Sequence, residues 1–219
     1  MDRPIVLERG AVSAEVRLDP LRVDVRRDGR RLLRSARAFA VATAVQDRFV
    51  QVTEGVIAHE EHGPREYVAT AEVRTRTASR LTLVLRLDGG RSASLGISLR
   101  KNGTVDLQLR CTGALRLAIE WDRRDGEHFA GLGARHHPKV DHADRSIQLG
   151  ADRRYLGPDC PPEMVDAGGI PQGDYAPVPW LQSSRGYAVW CRSESNGVRF
   201  EMTDAVRVFM RHSIMLTCI

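Results

Sequence analysis

Residues 81–111 read LTLVLRLDGGRSASLGISLRKNGTVDLQLRC, and this stretch decides the fold class. Apolar side chains alternate in it with polar or small ones, which is the period of a strand with one buried face. Two turn signals, Asp88-Gly89-Gly90 and Lys101-Asn102-Gly103, divide the stretch into three segments. Asn-Gly and Asp-Gly pairs accept the positive φ that tight hairpin turns require. The stretch therefore predicts three antiparallel strands, at residues 81–87, 92–99 and 105–111.

The same alternation continues outward in both directions, and residues 27–30, Arg-Asp-Gly-Arg, give a further turn signal. The additional predicted strands are residues 11–18, 21–26, 67–73, 115–121, 186–191, 198–202 and 206–210. No long window repeats its apolar residues at three and four, so no helix is predicted. We therefore predict an all-β protein, a twisted antiparallel β-sandwich that forms a single domain over residues 1–210.

The alternation stops after Trp121, and residues 122–179 are rich in Gly, Pro, Asp, Arg and His. Loops of such length inside a compact domain tend to carry function. We predict one long functional loop between two parts of the sandwich. Residues 211–219 are predicted to be an atypical C-terminal tail in which Ile214, Met215 and Leu216 form an exposed apolar patch.

Composition narrows the class of protein. The chain has 219 residues, 42% hydrophobic and 28% charged, which is typical of a soluble globular protein. No window offers the roughly 18 consecutive apolar residues of a membrane span. The N-terminus, MDRPIVLERG, lacks a basic segment followed by an apolar one, so a cytoplasmic location is predicted.

Charge and cysteine usage exclude further classes. The net charge is +5, but arginines alternate with acids along the strands, so no nucleic-acid partner is predicted. Four cysteines, Cys111, Cys160, Cys191 and Cys218, show no CxxC spacing. We expect free, mostly buried thiols, with neither a zinc site nor a redox pair, and we predict no cofactor.

Two motifs carry most of the functional information. Residues 126–136 read GEHFAGLGARH, and residues 168–202 read GGIPQGDYAPVPWLQSSRGYAVWCRSESNGVRFEM. With these motifs the chain resembles the N-terminal β-sandwich domain of family 31 glycoside hydrolases, the α-glucosidase and α-xylosidase group. The resemblance is strong over residues 126–202 and weak before them. It implies a galactose mutarotase-like supersandwich.

The resemblance extends to individual residues. The family's Gly-Leu-Gly-Glu-Arg element is matched by Gly131, Gly133 and Arg135, while Ala134 replaces the glutamate. The family's Tyr-x-Pro-x-Pro-aromatic-x-x-Ser-Ser-Arg-Gly-Tyr element is matched by Tyr175, Pro177, Pro179, Trp180, Ser183, Ser184, Arg185, Gly186 and Tyr187. Glycines suit a chain that turns sharply beside another backbone, and prolines keep a segment extended. We expect residues 183–186 to form a turn that leads into the next strand.

The resemblance also implies a binding role for the long loop. In the family, a loop of this domain lies against the mouth of a (β/α)8 barrel and helps to shape the sugar pocket. By position that loop is residues 148–175. The side chains implied at the substrate rim are Asp152, Arg153, Arg154, Asp174 and Tyr175, which can bind hydroxyls or stack on a sugar ring. For Arg153 and Arg154, pairing with acids at the domain interface is the alternative.

Catalysis is not expected from this chain alone. Glycosidic cleavage requires two carboxylates that face each other across the scissile bond, and in the family both lie on the barrel. The barrel's Trp-x-Asp-x-x-Glu type of motif has no counterpart in the sequence. The acids that the loop offers are Asp141, Asp144, Asp152, Asp159, Glu163, Asp166 and Asp174, none of them in a recognised catalytic signature. The expected partners are an α-linked saccharide or glycoside and a catalytic barrel in cis or in trans.

Two smaller groups of residues are further candidate sites. His136, His137, Asp141 and His142 lie within seven residues and would ligate a metal if the loop folded back, but their spacing matches no common helical metal motif, so no metal is predicted. Glu127 and His128 are adjacent and form a candidate acid/base couple. A structural role beside Phe129 is the favoured interpretation.

Two alternative functions stay open. One is a stand-alone carbohydrate-binding or aldose-epimerase-like sandwich, and the other is an interaction module without a ligand. An epimerase needs a histidine and a carboxylate on its concave sheet face, whereas the histidines here cluster in or next to the loop. A binding module needs an aromatic platform, for which Tyr175, Trp180, Tyr187 and Trp190 are the grouped candidates.

Overall fold

The computed structural model describes residues 3–52, 55–112, 116–135, 140–149, 174–192, 198–211 and 213–218. Every regular element in these ranges is a strand, which confirms the predicted all-β class. The strands are β1 Ile5–Arg9, β2 Val12–Leu18, β3 Leu21–Arg27, β4 Arg30–Val52, β5 Gly55–Arg76, β6 Arg80–Leu87, β7 Ser92–Leu99, β8 Val105–Cys111, β9 Arg116–Asp122, β10 Phe129–Arg135, β11 Ser146–Gln148, β12 Asp174–Ser183, β13 Tyr187–Cys191, β14 Arg199–Met202, β15 Ala205–Arg211 and β16 Ser213–Cys218. Among the described residues there is no helix that could span a membrane.

The strands form two antiparallel sheets, as the sandwich prediction requires. The first sheet has the order β1-β2-β3-β4-β9-β15-β14-β11, and the second has the order β10-β12-β13-β16-β8-β7-β6-β5. The strands β4 and β5 join the two sheets because they also pair with each other, from Val41 opposite Tyr67 to Val52 opposite Gly55. Buried side chains of both sheets form one main apolar core.

The stretch that decides the fold class folds as its pattern predicts. β6, β7 and β8 form an antiparallel meander in which Leu83 lies opposite Leu95, and Leu95 lies opposite Leu109. All three leucines are buried in the core. The turns before β7 and β8 place Gly90 and Gly103 at positive φ. Alternation therefore fixes the register, because a shift by one residue would turn these leucines to solvent.

The turn between β3 and β4 also matches its prediction. Arg27 pairs with Arg30, so the hairpin loop consists of Asp28 and Gly29. Both residues have positive φ, 50° and 74°. Two successive positive values define the primed turn that an Asp-Gly pair favours.

The largest strands were not predicted. β4 spans 23 residues and β5 spans 22 residues, whereas the sequence pattern indicated only residues 67–73 within this region. The start of β4 is rich in alanine, a residue depleted in strands, and Pro64 lies within β5. Pairing with each other and with β9 and β6 supplies the partners that local propensity does not indicate.

The predicted long loop is shorter than its sequence suggested, because β10, β11 and the first half of β12 lie inside residues 122–179. The pairing of β10 with β12 contains register shifts, one of them between Gly131 and Gly133. Bulges of this kind interrupt the two-residue period, so the strand was not visible in the pattern.

The prediction of an exposed C-terminal tail is wrong. Residues 213–218 form β16, which lies between β13 and β8 inside the second sheet. Ile214, Leu216 and Cys218 alternate with polar or half-buried neighbours and are buried in the core. The six-residue alternation completes the sheet and covers the edges of β8 and β13, which would otherwise be unpaired.

Candidate functional site

Glu127 is a buried carboxylate at the point where the two sequence motifs meet. It lies on the connection from β9 to β10 and is 1% exposed. Its Oε1 accepts hydrogen bonds from Ser183 Oγ at 2.5 Å and from Tyr187 Oη at 2.7 Å. Its Oε2 accepts one from the backbone N–H of Arg124 at 2.9 Å. A buried carboxylate requires such donors, and these three hold Glu127 in a structural position.

Tyr187 extends this network across the sandwich. Its hydroxyl accepts a hydrogen bond from Trp121 Nε1 at 2.9 Å. The two rings meet edge to face, with centroids 6.4 Å apart and an interplanar angle of 76°. Burial, and then the negative charge of Glu127, raise the pKa of Tyr187 well above its ordinary value, so the phenol stays a donor. Trp121 is on β9 and Tyr187 on β13, so the network ties the first sheet to the second.

The turn at residues 183–186 is fastened to the first motif by backbone bonds. The N–H of Gly186, which has a φ of 86°, donates to the carbonyl of Ser183 at 3.0 Å. The N–H of His128 donates to Ser184 Oγ at 3.0 Å, and the N–H of Ser184 donates to the carbonyl of His128 at 2.9 Å. The two motifs therefore form one unit.

Arg185 adds further bonds to this unit. Its backbone N–H donates to Ser183 Oγ at 3.0 Å, and its Nη2 donates to the carbonyl of Asp125 at 2.5 Å. Its own carbonyl accepts a hydrogen bond from Arg30 Nη2 at 3.2 Å. Arg185 thus links the turn both to the loop before β10 and to the start of β4.

Gly131 allows β10 and β12 to approach closely. Its φ is 107°, and a Cβ at this position would lie 2.3 Å from the carbonyl oxygen of Trp180. Leu132 and Gly133 follow with φ of 64° and 87°. Any side chain at Gly131 would collide with backbone that has nowhere to move, so the position requires glycine.

Glu127 and His128, the candidate acid/base couple, do not face each other. Glu127 points into the core, while the exposed His128 ring places Nδ1 2.6 Å from Asp141 Oδ2. Desolvation raises the pKa of Asp141, but the N–H of Phe129, the His128 ring and the N–H of Ala143 outweigh it and lower that pKa to about 2. Glu127 therefore has the structural role that was favoured from the sequence, and Asp141 is a partner of His128 that sequence reasoning missed.

The proposed cluster of histidines lies only partly within the described residues. His136 and His137 fall outside them. The backbone N–H of His142 donates to the carbonyl of Phe129 at 2.8 Å, and its Nε2 lies 3.1 Å from the carbonyl oxygen of Gly131. His142 is therefore a buried side chain that helps to fasten the loop after β10 to β10 itself.

The aromatic residues separate into two groups. Trp180 on β12 lies directly opposite Trp190 on β13. Trp190 is 40% exposed and Val178, two residues before Trp180, is 47% exposed. The guanidinium of Arg192 lies over the Trp190 ring, 5.1 Å from its centroid. Tyr187 is buried on the opposite face of the sheet, so the two tryptophans share an outer face and Tyr187 does not.

Only two of the five predicted substrate-rim residues lie within the described part of the chain. Asp152, Arg153 and Arg154 lie outside the described residues. The backbone of Asp174 and Tyr175 begins β12, where Asp174 lies opposite Arg135. The substrate-rim role of these five residues stays a prediction.

A cleft of about 410 Å³ opens at the end of the first sheet where β4 and β15 begin and β9 ends. Five arginines line it, Arg31, Arg34, Arg123, Arg124 and Arg207. Three carboxylates also line it, those of Glu120, Asp122 and Asp204. We call this site the arginine cleft. Sequence reasoning missed it because its lining comes from separate segments, although the doublets Arg30-Arg31 and Arg123-Arg124 were a visible signal.

Arg207 holds two of the cleft's carboxylates. It donates Nε to Glu120, and it binds Asp204 through Nη1 at 2.7 Å and Nη2 at 2.8 Å. The hydrogen bond that Arg207 donates to Asp204 raises the pKa of Arg207 and lowers the pKa of Asp204. Such a bidentate pair is among the stronger ion pairs in proteins. Glu120 and Asp204 are therefore already occupied.

The chain matches solved structures over most of its length. One is a family 31 glycoside hydrolase, a sulfoquinovosidase from E. rectale in complex with an aza-sugar inhibitor. The chain is 15% identical to it, with a TM-score of 0.62 over 90% of this chain and 31% of that chain. Another is a family 31 α-xylosidase from a soil metagenome complexed with xylose, with 12% identity and a TM-score of 0.36 over 99% of this chain and 32% of that chain. A third is an uncharacterized Listeria monocytogenes protein, with 9% identity and a TM-score of 0.39 over 97% of this chain and 24% of that chain.

No family model matches the chain, and neither does any curated protein. The comparison with the sulfoquinovosidase therefore carries the assignment. The class of the protein is an all-β sandwich domain whose fold is similar to part of that enzyme. The resemblance to family 31 glycoside hydrolases drawn from the two motifs is confirmed at the level of the fold. The chain spans about a third of the sulfoquinovosidase, 31% of its length.

Proposed function

We propose that the chain is the accessory β-sandwich domain of a family 31 enzyme that acts on α-glycosides. The observation that carries the proposal is the fold match, which covers 90% of this chain but only 31% of the sulfoquinovosidase. In this role the sandwich packs on a (β/α)8 barrel in cis or in trans. The barrel supplies both catalytic carboxylates, and the sandwich supplies none.

The sandwich contributes by holding the long loop at the rim of the sugar pocket. Residues 148–175 connect β11 to β12 along the chain. Asp174, at the start of β12, lies opposite Arg135 on β10, and Gly131 allows these two strands to approach closely. Asp152, Arg153, Arg154, Asp174 and Tyr175 are the side chains assigned to an α-linked saccharide. A rigid support of this kind is what a binding loop requires.

The test joins the chain to its barrel and measures release of nitrophenol from α-glucoside and α-xyloside. We expect release from at least one of them. Asp174→Ala should raise KM about tenfold, which corresponds to the loss of one charged hydrogen bond. Glu72→Ala, a change at an exposed position on β5, is the matched control and should leave KM unchanged. No release from any α-glycoside would contradict the proposal.

The exposed ring of Trp190 favours one alternative, a stand-alone carbohydrate-binding module. It lies opposite the partly exposed Trp180 on an outer face, and an exposed aromatic ring can stack on a sugar. Affinity electrophoresis of the chain in gels that contain a soluble α-glucan tests this function. Retardation that Trp190→Ala abolishes would favour the module. Unchanged migration would dismiss it.

A further inference from the structure

We propose that the arginine cleft binds a small molecule through a phosphate, sulfate or carboxylate group. This inference concerns a different part of the chain from the sugar rim and does not depend on the proposed function. The cleft has a volume of about 410 Å³, a size that suits a metabolite. It lies at the end of the first sheet, on segments whose backbone is fixed by pairing among β4, β9 and β15.

Most of the negative charge in the cleft is already neutralised. Glu120 and Asp204 both accept hydrogen bonds from the half-buried Arg207. Asp122 is the remaining carboxylate, and its Oδ2 lies 3.6 Å from Arg34 Nε with both side chains exposed, 45% and 38%. Exposed ion pairs of this length contribute little, so an incoming anion can replace Asp122.

Three arginines in the described lining keep donors for a ligand. Arg31 has its nearest carboxylate, that of Asp24, at 4.0 Å. Arg34 has the loose contact with Asp122. Arg124 places Nη2 2.8 Å from the carbonyl oxygen of Arg31. Each guanidinium carries five N–H donors, and these contacts use a minority of them.

Arg123 contributes positive charge rather than free donors. Its Nη1 binds the carboxylate of Asp144 and donates to the carbonyls of Met202 at 3.1 Å and Thr203 at 2.6 Å. The hydrogen bond that Arg123 donates to Asp144 raises the pKa of Arg123. Its guanidinium is therefore fixed and charged beside the cleft.

The chemistry of the lining selects an anion rather than a neutral sugar. Arginines outnumber carboxylates by five to three, and the described lining contains no aromatic ring on which a sugar could stack. The planar fork of a guanidinium matches the oxygens of phosphate, sulfate and carboxylate. The remaining lining is Leu32 and Ala205, which offers a small apolar contact for the rest of the ligand.

Titration of the isolated chain with inorganic phosphate at constant ionic strength, followed by calorimetry, tests the proposal. We expect saturable binding at one site. The double variant Arg31→Gln with Arg34→Gln should weaken it by about tenfold or more, the loss of two charge-assisted contacts. Arg80→Gln with Arg86→Gln is the matched control, since it removes the same two charges from exposed positions on β6. It changes the net charge without touching the cleft and should keep the affinity of the unchanged chain.

A second variant keeps the test decisive if the double variant fails to fold. Asp122→Asn removes the competing carboxylate and releases Arg34, so it should bind phosphate about threefold more tightly. Phosphate that does not saturate the unchanged chain would overturn the proposal. Equal weakening by the β6 control and by the cleft double variant would overturn it too, because the effect would then be net charge alone. No glycoside or barrel enters this experiment, so its failure and the failure of the proposed function are separate results.

Discussion

Glu127 illustrates how a single residue organises this site. Its carboxylate is removed from water, and three donors offset the cost of desolvation. Glu127→Gln keeps the shape of the side chain but presents an amide N–H group to one of those donors. One polar group then loses its partner, and we expect the free energy of unfolding to fall by about 1–3 kcal/mol. Urea unfolding measures the change.

Glu15→Gln is the control for this prediction. Glu15 accepts a hydrogen bond from Arg17 on the surface, at 3.1 Å from Nη2. Exposed pairs contribute little, so the expected change is below about 0.5 kcal/mol. Equal losses for the two variants would show that Glu127 is no more important than a surface acid.

Ionisation of Tyr187 limits the stability of the folded chain at alkaline pH. Burial and the charge of Glu127 raise its pKa above the ordinary value of about 10. Above about pH 10 the unfolded chain loses this proton while the folded chain keeps it, so the stabilisation is complete below that pH and falls as pH rises. Tyr187→Phe should flatten the decline of the urea midpoint between about pH 9 and pH 11, whereas Tyr67→Phe, at an exposed position, should not. The buried thiols of Cys191 and Cys218, whose pKa values burial also raises, add the same decline to every variant.

At the scale of elements, the approach of β10 to β12 depends on Gly131. Gly131→Ala would place a Cβ 2.3 Å from the carbonyl oxygen of Trp180, and it would also force alanine to a φ of 107°. We expect a loss of about 3 kcal/mol. Gly126→Ala has a positive φ but open space around it, so the expected cost is about 1 kcal/mol. Similar losses, measured by thermal unfolding, would contradict the close approach.

The position of β16 inside the second sheet predicts that neighbouring side chains, which point to opposite faces, tolerate substitution differently. Leu216 faces the core, whereas its neighbour Met215 is half-buried on the other face. Leu216→Lys buries an unpaired ammonium group and should abolish soluble expression, while Met215→Lys should express and unfold cooperatively. Soluble yield and urea unfolding distinguish the two. Equal tolerance would restore the interpretation of residues 213–218 as a tail.

The elements show why part of the fold was predictable and part was not. Residues 81–111 alternate strictly, so the sequence indicates their strands and turns. β16 has the same alternation, but it is short and stands at a chain end, where a tail is the more common outcome. β4 is alanine-rich, and β10 contains a bulge, so long-range pairing rather than local pattern determines both. The two motifs predicted the turn at residues 183–186, but the bond from Tyr187 to Glu127 depends on the fold.

At the scale of the molecule, two sheets are connected by β4 and β5 and tied by the bonds from Trp121 through Tyr187 to Glu127. This network is a scaffold, because its carboxylate is buried and has its donors. The arginine cleft has a lining that no single segment supplies, which is why the sequence did not reveal it. The chemistry of an α-glycosidase is assigned to the barrel on which this scaffold is proposed to rest.

One measurement tests whether catalysis belongs to the barrel and not to the sandwich. The isolated chain, at high concentration, is incubated with nitrophenyl α-glucoside and nitrophenyl α-xyloside, in parallel with the chain joined to the barrel proposed for it. We expect nitrophenol to be released only when the barrel is present. Turnover by the isolated chain that survives repurification would contradict it and would place catalytic carboxylates within these 219 residues.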